Sequence, residues 1–182
     1  MRTGSGYERE LRALLEGDRT AIRAYGRRLP AGDRPKIQRL AETPCLVVRA
    51  AGSFGFDLVA LRDYFAFPLE VKSSHEETIR FSSAGGRAEE QLADHRKTAD
   101  RVGLLVIYAY RRVGGSRGDS WRLFIAPGPD GSGWRHIVRK RLPEVERTRD
   151  GNGVLRWERG LPFVQFVELL TQLFGDGAGV SA

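Results

Sequence analysis

A chain of 182 residues, 41% hydrophobic and 29% charged, is long enough to bury the core of one domain and has the composition of a soluble globular protein. No apolar run approaches the ~20 residues that cross a bilayer, the charge-interrupted start MRTGSGYERELRALL lacks a signal-type apolar stretch, and the single Cys45 excludes a disulfide framework or a zinc–cysteine cluster. A formal charge of +7 and a pI near 10.1 point instead to a polyanionic partner, with cytoplasmic location the default expectation. Arginine carries most of that charge, since only four of the 30 basic residues are lysines. Its planar fork suits phosphate, although an Arg-rich genome, or a hot environment with few Asn, Cys and Met, produces the same bias.

After a basic lead at residues 1–6, Ser5-Gly6-Tyr7-Glu8 reads as a capping box opening a helix to about Glu16, with Gly17 as its stop. Tyr7, Leu11, Leu14 and Leu15 form its apolar stripe. Glu8 and Glu10 flank that stripe on opposite sides, and as pattern alone Glu8 is an N-terminal capping residue. Residues 18–44 follow as a basic, irregular stretch with two short helices, at 20–28 and 34–42. Such a run is ordinarily a solvated face, but here it is the best candidate for tracking a nucleic-acid backbone.

A strand is predicted at 46–51 (LVVRAA), with Cys45 an inert core residue. A glycine-containing turn, 52–55, then leads into Asp57 and the strand DLVAL; it is too short and irregular for a phosphate-binding loop of NTPases. After the turn Arg62-Asp63-Tyr64 comes FPLEVKS, whose alternation places Glu70 and Lys72 on one face and Leu69 and Val71 on the other. If the two strands form a hairpin, Asp57 approaches the charged pair. Two carboxylates for a hard divalent cation and a lysine beside water or phosphate are what a metal-dependent phosphodiesterase needs. The competing reading is a same-face ion pair on a solvated sheet. Against it, Glu70-Val71-Lys72 is the sole Asp/Glu-x-Lys of the chain, and Phe65, Phe67, Leu69 and Val71 mark a strand that packs on a core.

Residues 75–86 read as a polar loop with an extended piece at 78–81, and 87–101 as a helix with Ala88, Leu92, Ala99 and His95 inward. His75, His95 and His136 lack metal-ligand spacing and read as surface or packed histidines. GLLVIYAY (103–110) and SWRLFIA (120–126) are predicted antiparallel strands around a basic loop. Trp121 and Trp134 read as packed rather than base-stacking, and residues 128–160 as turn-rich and basic. A last helix is predicted from Leu161-Pro162, with Phe163, Phe166, Val167, Leu170, Leu173 and Phe174 buried against the sheet or a second subunit, before a tail at 175–182.

The pieces GSGYERELRALL, VVRAAGS, DLVAL, LEVKSS, EEQL and the later hairpin, with a weaker echo in RTRDGNGVLRW and GLPFVQFVELL, occur in the order of a known family. The sequence resembles the archaeal-type Holliday junction resolvases of the PD-(D/E)xK nuclease superfamily. That resemblance implies an α/β fold of restriction-endonuclease type, with a mixed central β-sheet flanked by α-helices, as a single nuclease domain over residues 1–174. It implies a homodimer that cuts four-way DNA junctions by paired, Mg²⁺-dependent nicks in opposing strands, with Mn²⁺ substituting. Carried over by position, the metal ligands are Glu8 rather than Glu10, Asp57, Glu70 and the Val71 carbonyl, with Lys72 and Ser53 completing the catalytic set. Arg2, Arg9 and Arg49 fall near that site and are expected to grip phosphates, with Arg27 and Arg28 further along the basic stretch. Phe56 stands where the family has proline, the turn from Ser53 to Asp57 is short, and 18–44 reads as an insertion. The alternatives are a nuclease of the same superfamily acting on flaps, mismatches or a restriction site, and a non-catalytic nucleic-acid-binding module.

Overall fold

The computed structural model describes residues 4–50, 55–81, 87–114 and 117–175. Among the described residues six α-helices, α1 (Gly4–Leu15), α2 (Arg19–Gly26), α3 (Arg34–Gln38), α4 (Arg87–Val102), α5 (Trp134–Arg141) and α6 (Phe163–Gly175), accompany two sheets. The main sheet holds β1 (Leu46–Arg49), β2 (Leu58–Arg62), β3 (Phe65–Ser74), β5 (Ile107–Arg112), β6 (Trp121–Ile125) and β9 (Leu161–Pro162), in the order β1-β2-β3-β5-β6-β9. A smaller sheet sets β8 (Gly153–Arg156) between β4 (Thr78–Arg80) and β7 (Glu146–Arg147). The β3–β5 pair is parallel and its main-sheet neighbours are antiparallel, so the architecture is the mixed sheet with flanking helices that the sequence predicts.

Alternation in the central strands builds two cores. Val47, Leu58, Ala60, Phe67, Leu69, Ile107 and Ala109 turn to one face, where the stripes of α1 and α6 cover them. The α6 stripe therefore buries on the sheet, and Val164 N–H is held by Asp119 Oδ2 at 2.9 Å. On the other face Tyr108, Tyr110 and Phe124 meet Leu92 and Ala99 of α4 and Phe81 and Leu155 beside the small sheet. Asp63 and Tyr64 make the tight turn between β2 and β3, Asp63 at φ +49, so that Leu58 pairs with Leu69 and the next step outward sets Asp57 opposite Glu70.

Several predicted boundaries move. Ser5 already lies inside α1 rather than capping it, and Glu8 reaches a side chain on β1 instead of the helix end. The predicted strand at 103–110 starts at Ile107, after a turn at Gly103 with φ +68. Residues 128–160 hold α5, β7 and β8 as well as turns. The sequence Leu161-Pro162 is a short edge strand on β6, a position where proline's missing N–H is tolerated, and α6 begins one residue later. Of the predicted turn 52–55 all but Gly55, of the predicted loop 75–86 residues 82–86, and the tail from 176 lie outside the described residues.

Candidate active site

Register brings the charged groups together. Glu70 and Lys72 pair across to Tyr108 and Tyr110, so their side chains lie on the face that α4 covers. Asp57 Oδ2 accepts the Val71 N–H at 2.7 Å, which fixes the carboxylate against β3. Lys72 Nζ donates to Glu70 Oε1 at 2.7 Å and to Gln91 Oε1 of α4 at 2.9 Å. An ammonium has three N–H groups, so one donor remains beyond these two bonds.

Glu70 is the unusual member. It is only 4% exposed, and its Oε2 is buried without a hydrogen-bond partner among the described residues. Burial pushes its carboxyl up to about 7, with Lys72 and the nearby Gln91 amide opposing and Asp57 adding to the rise. Two carboxylates beside one ammonium carry net negative charge when ionised, and a buried excess of that sign favours a cation. Thus the donor set fits a divalent ion: hard oxygens from Asp57 and Glu70, with the Val71 carbonyl adjacent in the chain.

Glu8 stands apart from this pair. Its Oε2 accepts from Arg49 Nη2 at 3.1 Å, and α1 packs on the opposite face of the sheet from Glu70. Among the described residues no three His, Cys, Asp or Glu side chains gather into a group that could hold a metal ion. Glu10 is engaged by the fold, its Oε1 accepting from Arg111 Nε at 3.2 Å and Trp121 Nε1 at 3.3 Å.

No protein-family model matches the chain, and no curated protein matches it. It is similar to Archaeoglobus fulgidus Hjc, a Holliday junction resolvase from an archaeal hyperthermophile. The identity is 20%, the TM-score 0.45, and the match covers 75% of this chain and 92% of that chain.

The remaining predicted residues are spread more widely. Arg9 and Arg28 line a cleft of about 740 Å³ between α1 and α2, with Arg111 and Glu10 in its wall. Because Arg111 alternates with Tyr110 on β5, this cleft opens on the face away from Glu70 and Lys72. Arg27 is exposed beside a separate cavity between α2 and α3, and Arg49 is exposed beside Glu8. Arg2 and Ser53 lie outside the described residues.

Four residues that sequence reading left without a role crowd the site. Gln91 binds Lys72; His95 is buried between Phe56 and Tyr108, whose rings lie 4.5 and 5.6 Å from its own. The available signal was the inward face of α4, where 88, 91, 92, 95 and 99 recur at helical spacing with two polar members. Trp121 and Trp134 are packed as predicted, Trp134 against Phe65 at 4.7 Å.

The two α1 glutamates are separable by experiment. Glu10→Gln should lower stability by about 1–3 kcal/mol, because buried Arg111 loses its anionic partner. Glu8→Gln should leave melting unchanged, since its partner Arg49 is largely exposed. Thermal denaturation of both variants checks this, and the opposite ranking would make Glu8, rather than Glu10, the glutamate on which the fold depends.

Proposed function

We propose that the protein is a metal-dependent endonuclease that resolves four-way DNA junctions by paired nicks in opposing strands. The observation that carries this is the buried, unmatched Glu70 Oε2 beside Asp57 and Lys72. Asp57, Glu70 and the Val71 carbonyl would hold Mg²⁺, or Mn²⁺ in its place. When bound, the cation supplies Lewis acidity at the scissile phosphate and promotes ionisation of water.

The chain's own groups do the rest. Lys72 directs its remaining N–H at the phosphate or the attacking water, where it offsets developing charge. Glu70 orients that ammonium through its other oxygen. Glu8 would join the acidic set only by leaving Arg49, which makes it the most dispensable of the three carboxylates. Ser53 is assigned to the scissile strand. Arg2, Arg9, Arg27, Arg28 and Arg49 contact phosphates along the arms, and two copies of the chain present matched sites to two equivalent strands.

Incubating the wild type with an immobile four-way junction, linear duplex, flap and nicked duplex, with and without Mg²⁺, tests the proposal. Paired nicks confined to the junction and dependent on the metal are expected. Equal cutting of linear duplex would place the protein among nucleases of other specificity. Tight binding with no cutting under any divalent metal would make it a nucleic-acid-binding module. Junction affinity should itself fall ~10³–10⁵-fold between ~50 and ~200 mM salt if ~6–10 phosphates are contacted.

A further inference from the structure

The carbonyl two residues before Asp57 receives two side chains from α4. Gly55 has φ +74, a conformation open to glycine, and its oxygen lies 2.5 Å from His95 Nε2 and 3.2 Å from Gln91 Nε2. A carbonyl only accepts, so His95 carries its proton on Nε2 and donates it there. Burial holds His95 below the usual imidazole range, which favours the neutral ring with Nδ1 as an acceptor. Tyr108 O–H, 2.8 Å away, donates to that Nδ1, and burial keeps this phenol protonated. The ring also stacks on Phe56 at 22° between planes.

Gln91 and His95 are one turn apart, so they share a helix face and reach the same carbonyl. Gln91 does more than His95. Its amide nitrogen holds Gly55 while its oxygen holds Lys72, joining the segment that carries Asp57 to the strand that carries Glu70 and Lys72. Each half of the charged cluster is thereby tied to α4 rather than only to its neighbouring strand. A turn whose sole need was a bond for one carbonyl could take it from water or backbone.

We propose that Gln91 and His95 are positioning residues: together they clamp the Gly55 carbonyl and so hold Asp57 in register with Glu70 and Lys72. The proposal rests on the nuclease reading of that cluster, but cation affinity and the histidine tautomer test it without DNA. His95→Phe keeps the stacked ring and removes both nitrogens, His95→Gln restores a donor, and Gln91→Ala removes the second one.

The variants are compared by thermal melting, by Mn²⁺ titration of the protein alone, and by kcat and KM on the junction; ¹⁵N NMR reads the wild-type tautomer. Expected are a neutral, Nε2-protonated His95, Mn²⁺ affinity about 10–100-fold weaker in folded His95→Phe and Gln91→Ala, and recovery in His95→Gln. Turnover should fall with affinity while KM for the junction holds. Wild-type Mn²⁺ affinity in folded His95→Phe and Gln91→Ala, or an Nδ1-protonated ring, overturns the clamp. If His95→Phe does not fold, unweakened Mn²⁺ binding by folded Gln91→Ala overturns it instead. A wild type that binds Mn²⁺ in this ranking yet cuts no DNA overturns the nuclease reading and leaves the clamp standing; one that binds no Mn²⁺ overturns both.

Discussion

Asp57→Asn is expected to reduce Mg²⁺-dependent junction cleavage by ~10³-fold or more, with the fold intact and junction binding preserved. Asparagine keeps an oxygen that can accept the Val71 N–H, now 2.7 Å from Asp57 Oδ2, so no backbone donor is orphaned. Alanine would orphan it, which makes Asn the cleaner variant. What disappears is one of two anionic oxygen ligands at a site where several kcal/mol of charge stabilisation are at stake, and ~4 kcal/mol corresponds to ~10³-fold in rate. The same substitution has a second signature. Asp57 is one of the causes that raise Glu70, so Glu70 in the variant should titrate lower than in the wild type. Cleavage kinetics and a carboxyl-resolved NMR titration read the two effects. Unchanged cleavage would remove Asp57 from the chemistry, and unchanged Glu70 titration would show that the carboxylates do not sense each other.

The charged cluster was legible because strand alternation is a strong constraint. Glu70 and Lys72 had to share a face, and a hairpin across the turn Arg62-Asp63-Tyr64, if formed, would bring Asp57 near them. Less legible was what covers that face. Whether Glu-x-Lys is a solvated pair or a buried centre depends on α4 and the tyrosines of β5, which lie well downstream in the chain. Local pattern carries no record of that packing. Gln91 was hidden for the same reason, since a glutamine on a helix reads as surface until its neighbours are known.

Other elements escaped for separate causes. The helix α5 (WRHIVRKR) is short and charged, its apolar face reduced to Trp134 and Val138, and its buried Arg139 depends on Glu144 at 2.7 Å. Proline at 162 fits a first helical turn as well as an edge strand, and only pairing with Arg122 decides between them. The α1 glutamates show the limit of a motif read by position. Helical spacing puts Glu8 and Glu10 on different sides, but which of them the fold takes up depends on Arg111 and Trp121, and both engage Glu10.

Glu70→Gln separates function from stability most sharply, because the two should move in opposite directions. The Glu70 carboxyl is raised from 4.5 to about 7 by burial, so between those values the folded protein holds a proton that the unfolded chain has released. Folding therefore takes up a proton in this window, and wild-type stability falls as pH rises from ~4.5 to ~7, then levels off. At ~1.4 kcal/mol per pK unit the full loss is about 3 kcal/mol. A neutral glutamine removes the titration, keeps an oxygen for Lys72, and should leave the variant about 1–3 kcal/mol more stable than the wild type at pH 8 without divalent metal. Added Mg²⁺ should raise the melting temperature of the wild type at pH 8 by mass action and do little for the variant. Cleavage should be lost in Glu70→Gln and, in the wild type, rise through pH ~7 as the carboxylate becomes free to take a cation, with an apparent midpoint that moves lower as Mg²⁺ is increased. Denaturant titrations at pH 5 and pH 8, each with and without Mg²⁺, measure the crossing. A variant less stable than wild type at both pH values would mean that Glu70 holds the fold together as half of an ion pair, and the unmatched oxygen would lose its meaning as a ligand.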